Sequence, residues 1–176
     1  MQSIAQIQAK LSAVINTPMS CAKTANKGAV GHLLEEKVGI PRSSACLDCS
    51  DGEIKVVPFK KLKNGRLVPK ETIAVTMMEK EFSDFEESRC FKKMKRMLVI
   101  PYLREGDNIV FYNPTLIELN GKLFELIKAD YDLIRTSPLQ SKIGKYLQTR
   151  TKGPGGSIKT RAFYLRTLFT SEFVNF

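Results

Sequence analysis

The run Lys95-Arg-Met-Leu-Val-Ile-Pro-Tyr-Leu103 enters seven consecutive uncharged, mostly apolar residues, Met97 to Leu103, without the polar alternation of a half-exposed strand. A run of that kind belongs to a buried strand, so other elements must be found to cover it. Helical candidates lie on both sides in sequence. Gln2 to Asn16 carries apolar residues at 4, 7, 11 and 14, a stripe of spacing three and four. Lys27 to Val38 repeats the pattern through Val30, Leu33, Leu34 and Val38, and Gly39 with Pro41 stops it. Phe82 to Lys93, Asn120 to Arg135 and Thr167 to Val174 are three further helical segments. Strands are expected over Ser44 to Asp48 and Glu53 to Phe59, with the Asn64-Gly65 pair as a hairpin turn and Thr72 to Met78 as the returning strand. Asp107 to Tyr112 should pair near the buried run. The mixture defines an α/β chain.

At 176 residues, 43% apolar and 26% charged, the chain suits one well-packed domain over 1–176. Its formal charge of +10 favours a polyanionic partner, nucleic acid before an anionic membrane. The charge is unevenly spread. Between Asp132 and Glu172 no acid occurs, while Arg135, Lys142, Lys145, Arg150, Lys152, Lys159, Arg161 and Arg166 supply +8. No stretch has the apolar length of a membrane-crossing helix, and the first residues lack the plan of a secretory signal, so an intracellular site, cytoplasm or nucleoid, is expected. Cys21, Cys46, Cys49 and Cys90 are then expected as free thiols. Cys46-x-x-Cys49 has no second such pair, and His32 is the only histidine, which leaves a tetrahedral zinc site short of ligands.

Chemistry concentrates at Asp48-Cys-Ser-Asp-Gly-Glu53-Ile54-Lys55. In a strand, Glu53 and Lys55 project from one face and Ile54 from the other, so an acid and a base stand side by side over an apolar underside. With Asp48 on the adjoining strand or turn, two carboxylates converge within reach of one Mg²⁺, which takes carboxylate oxygens, waters and phosphate. The Ile54 carbonyl is a further oxygen. Such an ion stabilises charge developing on a phosphodiester and makes a water nucleophilic at neutral pH, and Lys55 is placed to orient that water. Taken alone, the pattern suits a solvated strand better than a metal site.

Its surroundings carry a resemblance. Asn26-Lys-Gly-Ala-Val-Gly-His-Leu-Leu-Glu35-Glu-Lys-Val-Gly39, followed by Asp48 and Glu53-Ile-Lys55-Val-Val-Pro58, resembles the catalytic signature of the MutH family. That family includes a strand-nicking mismatch-repair endonuclease and GATC-cutting type II restriction enzymes. Ser88-Arg-Cys-Phe-Lys-Lys93-Met-Lys95-Arg-Met-Leu-Val-Ile-Pro101 is similar to the family's next block. Tyr146-Leu-Gln-Thr-Arg150-Thr-Lys152 and Arg161-Ala-Phe-Tyr164-Leu-Arg-Thr-Leu-Phe-Thr170 are similar to its DNA-reading blocks.

The resemblance implies a restriction-endonuclease-like PD-(D/E)xK core, a mixed central sheet flanked by helices. Its acidic metal-site part would span about 20–103 and its DNA-reading part about 120–176. It also implies that Asp48, Glu53 and Glu35 hold Mg²⁺, with Mn²⁺ able to substitute, and that Lys55 assists the attacking water. Lys93 falls at a lysine near the scissile phosphate. Lys27, Lys95, Arg150, Lys152 and Tyr164 become DNA contacts, Tyr164 at the adenine position. Gly31 and Gly28, one and two turns before Glu35, leave room for DNA or metal. Arg150 and Lys152 share a face if their segment is a strand, placed for phosphates or guanine edges. The glycine loop 153–156 is expected to order on DNA.

The chain departs from the repair enzyme in having Thr151 where that enzyme has proline, and in lacking much of its N-terminal helical region. A repair ATPase partner is therefore uncertain. Three expectations follow: a restriction-type cutter of double-stranded DNA at a short palindrome, GATC first, acting as two copies on DNA; a methylation-directed nicking enzyme; or a non-catalytic DNA-binding module. The last has no need of acids beside phosphate.

Overall fold

The computed structural model describes residues 1–176 apart from 25, 27, 42–44, 141 and 152–160. The apolar run forms the centre. Strand β5 (Arg96–Glu105) lies parallel to β2 (Glu53–Lys61), pairing Glu53 with Met97 and Lys55 with Val99. On the other edge of β5, β6 (Asn108–Phe111) pairs with its second half and β7 (Thr115–Glu118) with its first, both antiparallel. The short β1 (Met19–Ser20) adds to β6, and β3 (Leu67–Pro69) returns from the hairpin onto β2. The outcome is a mixed six-stranded sheet.

Strand alternation divides the core in two. Val57, Phe59, Met97 and Val99 face one apolar cluster, and Ile54, Leu98 and Ile100 face the other. The second is covered by α1 (Ile4–Leu11), through Ile4, Ile7 and Leu11, and by α2 (Ala29–Val38), through Val30, Leu34 and Val38. A Ser3 capping box, with Ser3 and Gln6 bonding each other's backbone N–H, starts α1, and left-handed Gly39 stops α2. The first cluster is covered by α3 (Arg89–Met94), α4 (Gly121–Arg135), α5 (Thr167–Phe173) and a second sheet. That sheet is antiparallel, with β9 (Arg161–Leu165) between β4 (Ile73–Met77) and β8 (Leu147–Thr151).

Several expectations are corrected. Ser44 to Asp48 is not a strand: its described residues, 45 to 48, form bends, and beyond them Cys49 bridges only to Gly52. The hairpin return is Leu67–Pro69 rather than Thr72 to Met78. Leu62 and Arg66 close the loop, and Gly65 takes the left-handed conformation (φ 83°) that the Asn-Gly signal calls for. Strand β4 instead joins β9, far along the chain. The helix expected from Phe82 begins as a 3-10 turn (Phe85–Glu87), and the regular helix starts only after Ser88 caps the Phe91 N–H. The first helix ends at Leu11 and passes into turns before Asn16.

The second sheet is tied down by a buried carboxylate. Asp130 of α4 accepts hydrogen bonds from the backbone N–H groups of Lys145, Tyr146 and Leu147, at 2.7, 2.6 and 2.8 Å. A Cβ at Gly144 would overlap that carboxyl, so only glycine lets the chain pass it.

Candidate active site

The start of β2 places the motif. Glu53 is the first residue of the strand and only 1% exposed, on the face that α3 covers, while Ile54 turns into the opposite cluster. A buried carboxylate needs compensation. Here Lys55, two residues along the same face, and Lys93, from α3, each donate to Glu53 Oε1 at 2.7 Å. Glu53 Oε2 is buried and has no hydrogen-bond partner among the described residues. One oxygen is therefore doubly engaged and the other left bare.

Asp48 sits beside it, its Oδ2 accepting from the Ile54 N–H at 3.2 Å. That bond fixes the turn leading into β2 and aims the second carboxylate at the strand start. Burial first, and the Glu53 charge second, push the Asp48 carboxyl above its ordinary pKa. Two acids held near each other at a desolvated spot favour a cation between or beside them. A neighbouring pair supports the turn from the far side: Asp51 bonds Arg96, whose Nε lies 3.0 Å from Glu118. Gly52 packs so closely against Ile4 and the Arg96 carbonyl that no side chain fits there.

These groups open onto a cleft of about 680 Å³. Glu35 reaches it from α2, along with Gly28 and Gly31, as the helix spacing requires. Arg150 and Tyr164 form its far wall from the second sheet. They are arranged together: the Arg150 guanidinium lies over the Tyr164 ring at 4.2 Å from its centroid and donates to Thr72 Oγ1 at 2.6 Å. Arg150 is exposed, whereas Tyr164 is buried at 7% exposure, nearer a core aromatic than a half-open one.

Of the residues singled out in the sequence, Glu35, Asp48, Glu53, Lys55, Arg150 and Tyr164 line this one cleft, and Lys93 joins it through Glu53. Lys95 caps the end of α3, exposed and apart from the cleft lining. Lys27, Lys152 and the glycine loop 153–156 lie outside the described residues. Thr72 and Glu71 also line the cleft, unread in the sequence because only the β4–β9 pairing brings them there.

Among the described residues no three His, Cys, Asp or Glu side chains converge as a full metal-ligand set. The two carboxylates of Asp48 and Glu53, with a bare Glu53 oxygen, suit an ion that keeps several waters and takes substrate phosphate oxygens. Mg²⁺ is such an ion, so the residues present fit the group.

The mixed sheet flanked by helices is a fold this chain shares with a solved restriction endonuclease. The structure of restriction endonuclease MvaI with its cognate DNA substrate superposes with a TM-score of 0.50 at 12% identity, covering 96% of this chain and 93% of that one. The family model described as DNA mismatch repair enzyme MutH matches residues 42–136, more than half of the chain, which therefore belongs to the MutH family. Type II restriction enzyme Sau3AI of Staphylococcus aureus is 27% identical over 172 residues, 81% of this chain and 35% of that enzyme. The chain thus spans about a third of that relative's length.

Proposed function

We propose that the protein is a Mg²⁺-dependent, sequence-specific DNA endonuclease of the restriction type, hydrolysing phosphodiesters at a short palindrome, GATC first. The observation that carries this reading is Glu53: buried, one oxygen held by Lys55 and Lys93, the other bare, with Asp48 beside it in a cleft walled by Arg150. Asp48 and Glu53 would hold the metal, with Glu35 completing the acidic set from α2. Mg²⁺ when bound supplies charge stabilisation at the phosphate and a water of lowered pKa. Mn²⁺ is expected to substitute.

The chain's own groups do the rest. Lys55, anchored on Glu53, orients the attacking water, and Lys93 places its charge at the scissile phosphate. Arg150, held between Tyr164 and Thr72, meets base edges without first having to be ordered. Tyr164 lies beneath it, which favours a role in supporting Arg150 as well as sensing the adenine position. The acidic part, about 20–103, and the reading part, about 120–176, act as one unit over residues 1–176. Two copies would meet on DNA to cut both strands.

The GATC assignment draws on the family likeness. A cytoplasmic or nucleoid location is consistent with a DNA substrate; among the described residues no helix is long and apolar enough to cross a membrane. The second reading, a nicking enzyme directed by methylation, shares the chemistry and is favoured by the description of the matching family. Plasmid DNA carrying unmethylated, hemimethylated or fully methylated GATC sites, incubated with the protein and Mg²⁺, separates the two. Linearisation is expected; nicking confined to unmodified strands would replace this reading with the second, and binding without breakage would sink both.

A further inference from the structure

A second groove, of about 530 Å³, opens beside the cleft, between the β2–β3 hairpin and the segment from Ala22 to Asn26. It shares Val30, Pro58, Glu71 and Tyr102 with the first cleft, so the two lie side by side. Its charged lining is Lys23, Lys60, Lys61, Lys70 and Arg104 against Glu71 and Glu105. None of the five cations is in an ion pair among the described residues; Arg104 donates instead to the Cys21 carbonyl. Lys60, Lys61 and Lys70 are exposed. Five cations against two acids leave the groove with an excess of positive charge, and a polyanion relieves their mutual repulsion.

The spacing fits a duplex. Lys55 and Lys60 lie on one continuous strand, five residues apart. At about 3.3 Å per residue that is roughly 17 Å. Successive base pairs advance about 3.4 Å along the axis of a duplex, so with the duplex lying along β2 the hairpin lysines stand about five base pairs from the site of chemistry. Lys60 and Lys61 are fixed by the pairing of β2 with Val68 and Leu67, and Lys70 by its N–H bond to the Pro58 carbonyl at 2.8 Å. The three are held on a braced hairpin.

We infer that this groove binds the phosphates of duplex DNA flanking the cleaved sequence, through Lys60, Lys61 and Lys70. The inference rests on the nuclease reading above and extends it to DNA beyond the recognition site.

The test is equilibrium binding of the full chain, in EDTA so that nothing is cut. It uses GATC duplexes of about 8 and about 24 base pairs, lengths that exclude and include phosphates five pairs out. The wild-type protein is expected to bind the longer duplex at least about tenfold more tightly, with a steeper salt dependence. The Lys60→Ala, Lys61→Ala, Lys70→Ala triple variant is expected to match it on the short duplex and lose the gain on the long one. Its salt slope should be shallower by up to about 2.7, three contacts at about 0.9 each. The corresponding Lys→Arg triple variant should keep the gain. A length gain and slope unchanged in the alanine variant would overturn the inference, as would an equal loss on both duplexes. Wild-type protein that cuts plasmid but shows no length gain removes the groove and leaves the nuclease; protein that neither binds nor cuts removes both.

Discussion

Glu53 is held by opposing demands: two lysines on one oxygen make its burial tolerable, while the second oxygen, buried without a hydrogen-bond partner among the described residues, is the one the proposed metal would engage. Removing Lys55 by substitution with alanine is expected to lower the cleavage rate by at least about 100-fold, the scale of a lost proton-handling group, measured in single-turnover kinetics. Asp48 carries the cost of the arrangement, because burial and the Glu53 charge both disfavour its ionised form. Asp48→Asn removes that charge while keeping an acceptor for the Ile54 N–H. Cleavage should vanish, and the metal-free variant should melt above wild type at neutral pH, where the Asp48 carboxylate is otherwise ionised at a cost. A melting temperature below wild type would contradict the electrostatic account. Arg150→Ala should reduce discrimination against wrong sequences by about 1–3 kcal/mol while costing less affinity for random DNA; equal losses on both would remove its reading role. How these residues were legible differs by residue. Glu53, Ile54 and Lys55 were readable from strand alternation alone, a local rule. Lys93 was reached only through the family likeness, and Thr72 not at all, since its bond to Arg150 joins positions 78 apart.

At the scale of elements, the link between α4 and β8 positions the Arg150 side of the cleft. Asp130 satisfies three backbone N–H groups at the entrance to β8, the strand that carries Arg150. Asp130→Ala would leave those donors buried and unmet, and is expected to cost about 2–4 kcal/mol in urea unfolding. Sequence discrimination should fall with it, as β8 loses its anchor. Asp130→Asn, still an acceptor, should lose less. A variant as stable as wild type would show that the three bonds contribute nothing net. The long elements α2, α4, β2 and β5 stand out in the sequence, the helices by their spacing of three and four, β2 by its alternation and β5 by its unbroken apolar run. The two residues of β1 and four of β7 are too short to carry a period. Ala45 to Asp48 has apolar content but runs as bends: Asp48 spends its side chain on the Ile54 N–H, and Gly52 must pass close under Arg96. Strand β4 followed its hairpin too closely in sequence to be assigned to any other sheet.

Across the whole molecule, the architecture joins an acidic point to a basic surround. The carboxylates of Asp48 and Glu53 lie at one end of the central sheet, Arg150 of β8 and the cations of the β2–β3 hairpin line the clefts beside them, and the formal charge is +10. Affinity for DNA is therefore expected to fall steeply between about 50 and 200 mM salt, as phosphate contacts release counterions. A flat salt response would contradict a DNA partner. The α/β class and the mixed sheet flanked by helices agree with what the sequence and its family likeness implied. The division into two sheets, with Arg150 and Tyr164 on the second, does not follow from any local pattern, because it depends on β9 inserting between β4 and β8. The account turns on Glu53, and the most direct measurement compares wild type with Glu53→Ala on GATC-containing plasmid in Mg²⁺, with binding to the same DNA followed in parallel. Wild type should cut, and the variant should bind without cutting; a variant that cuts at the wild-type rate would contradict the proposed metal site.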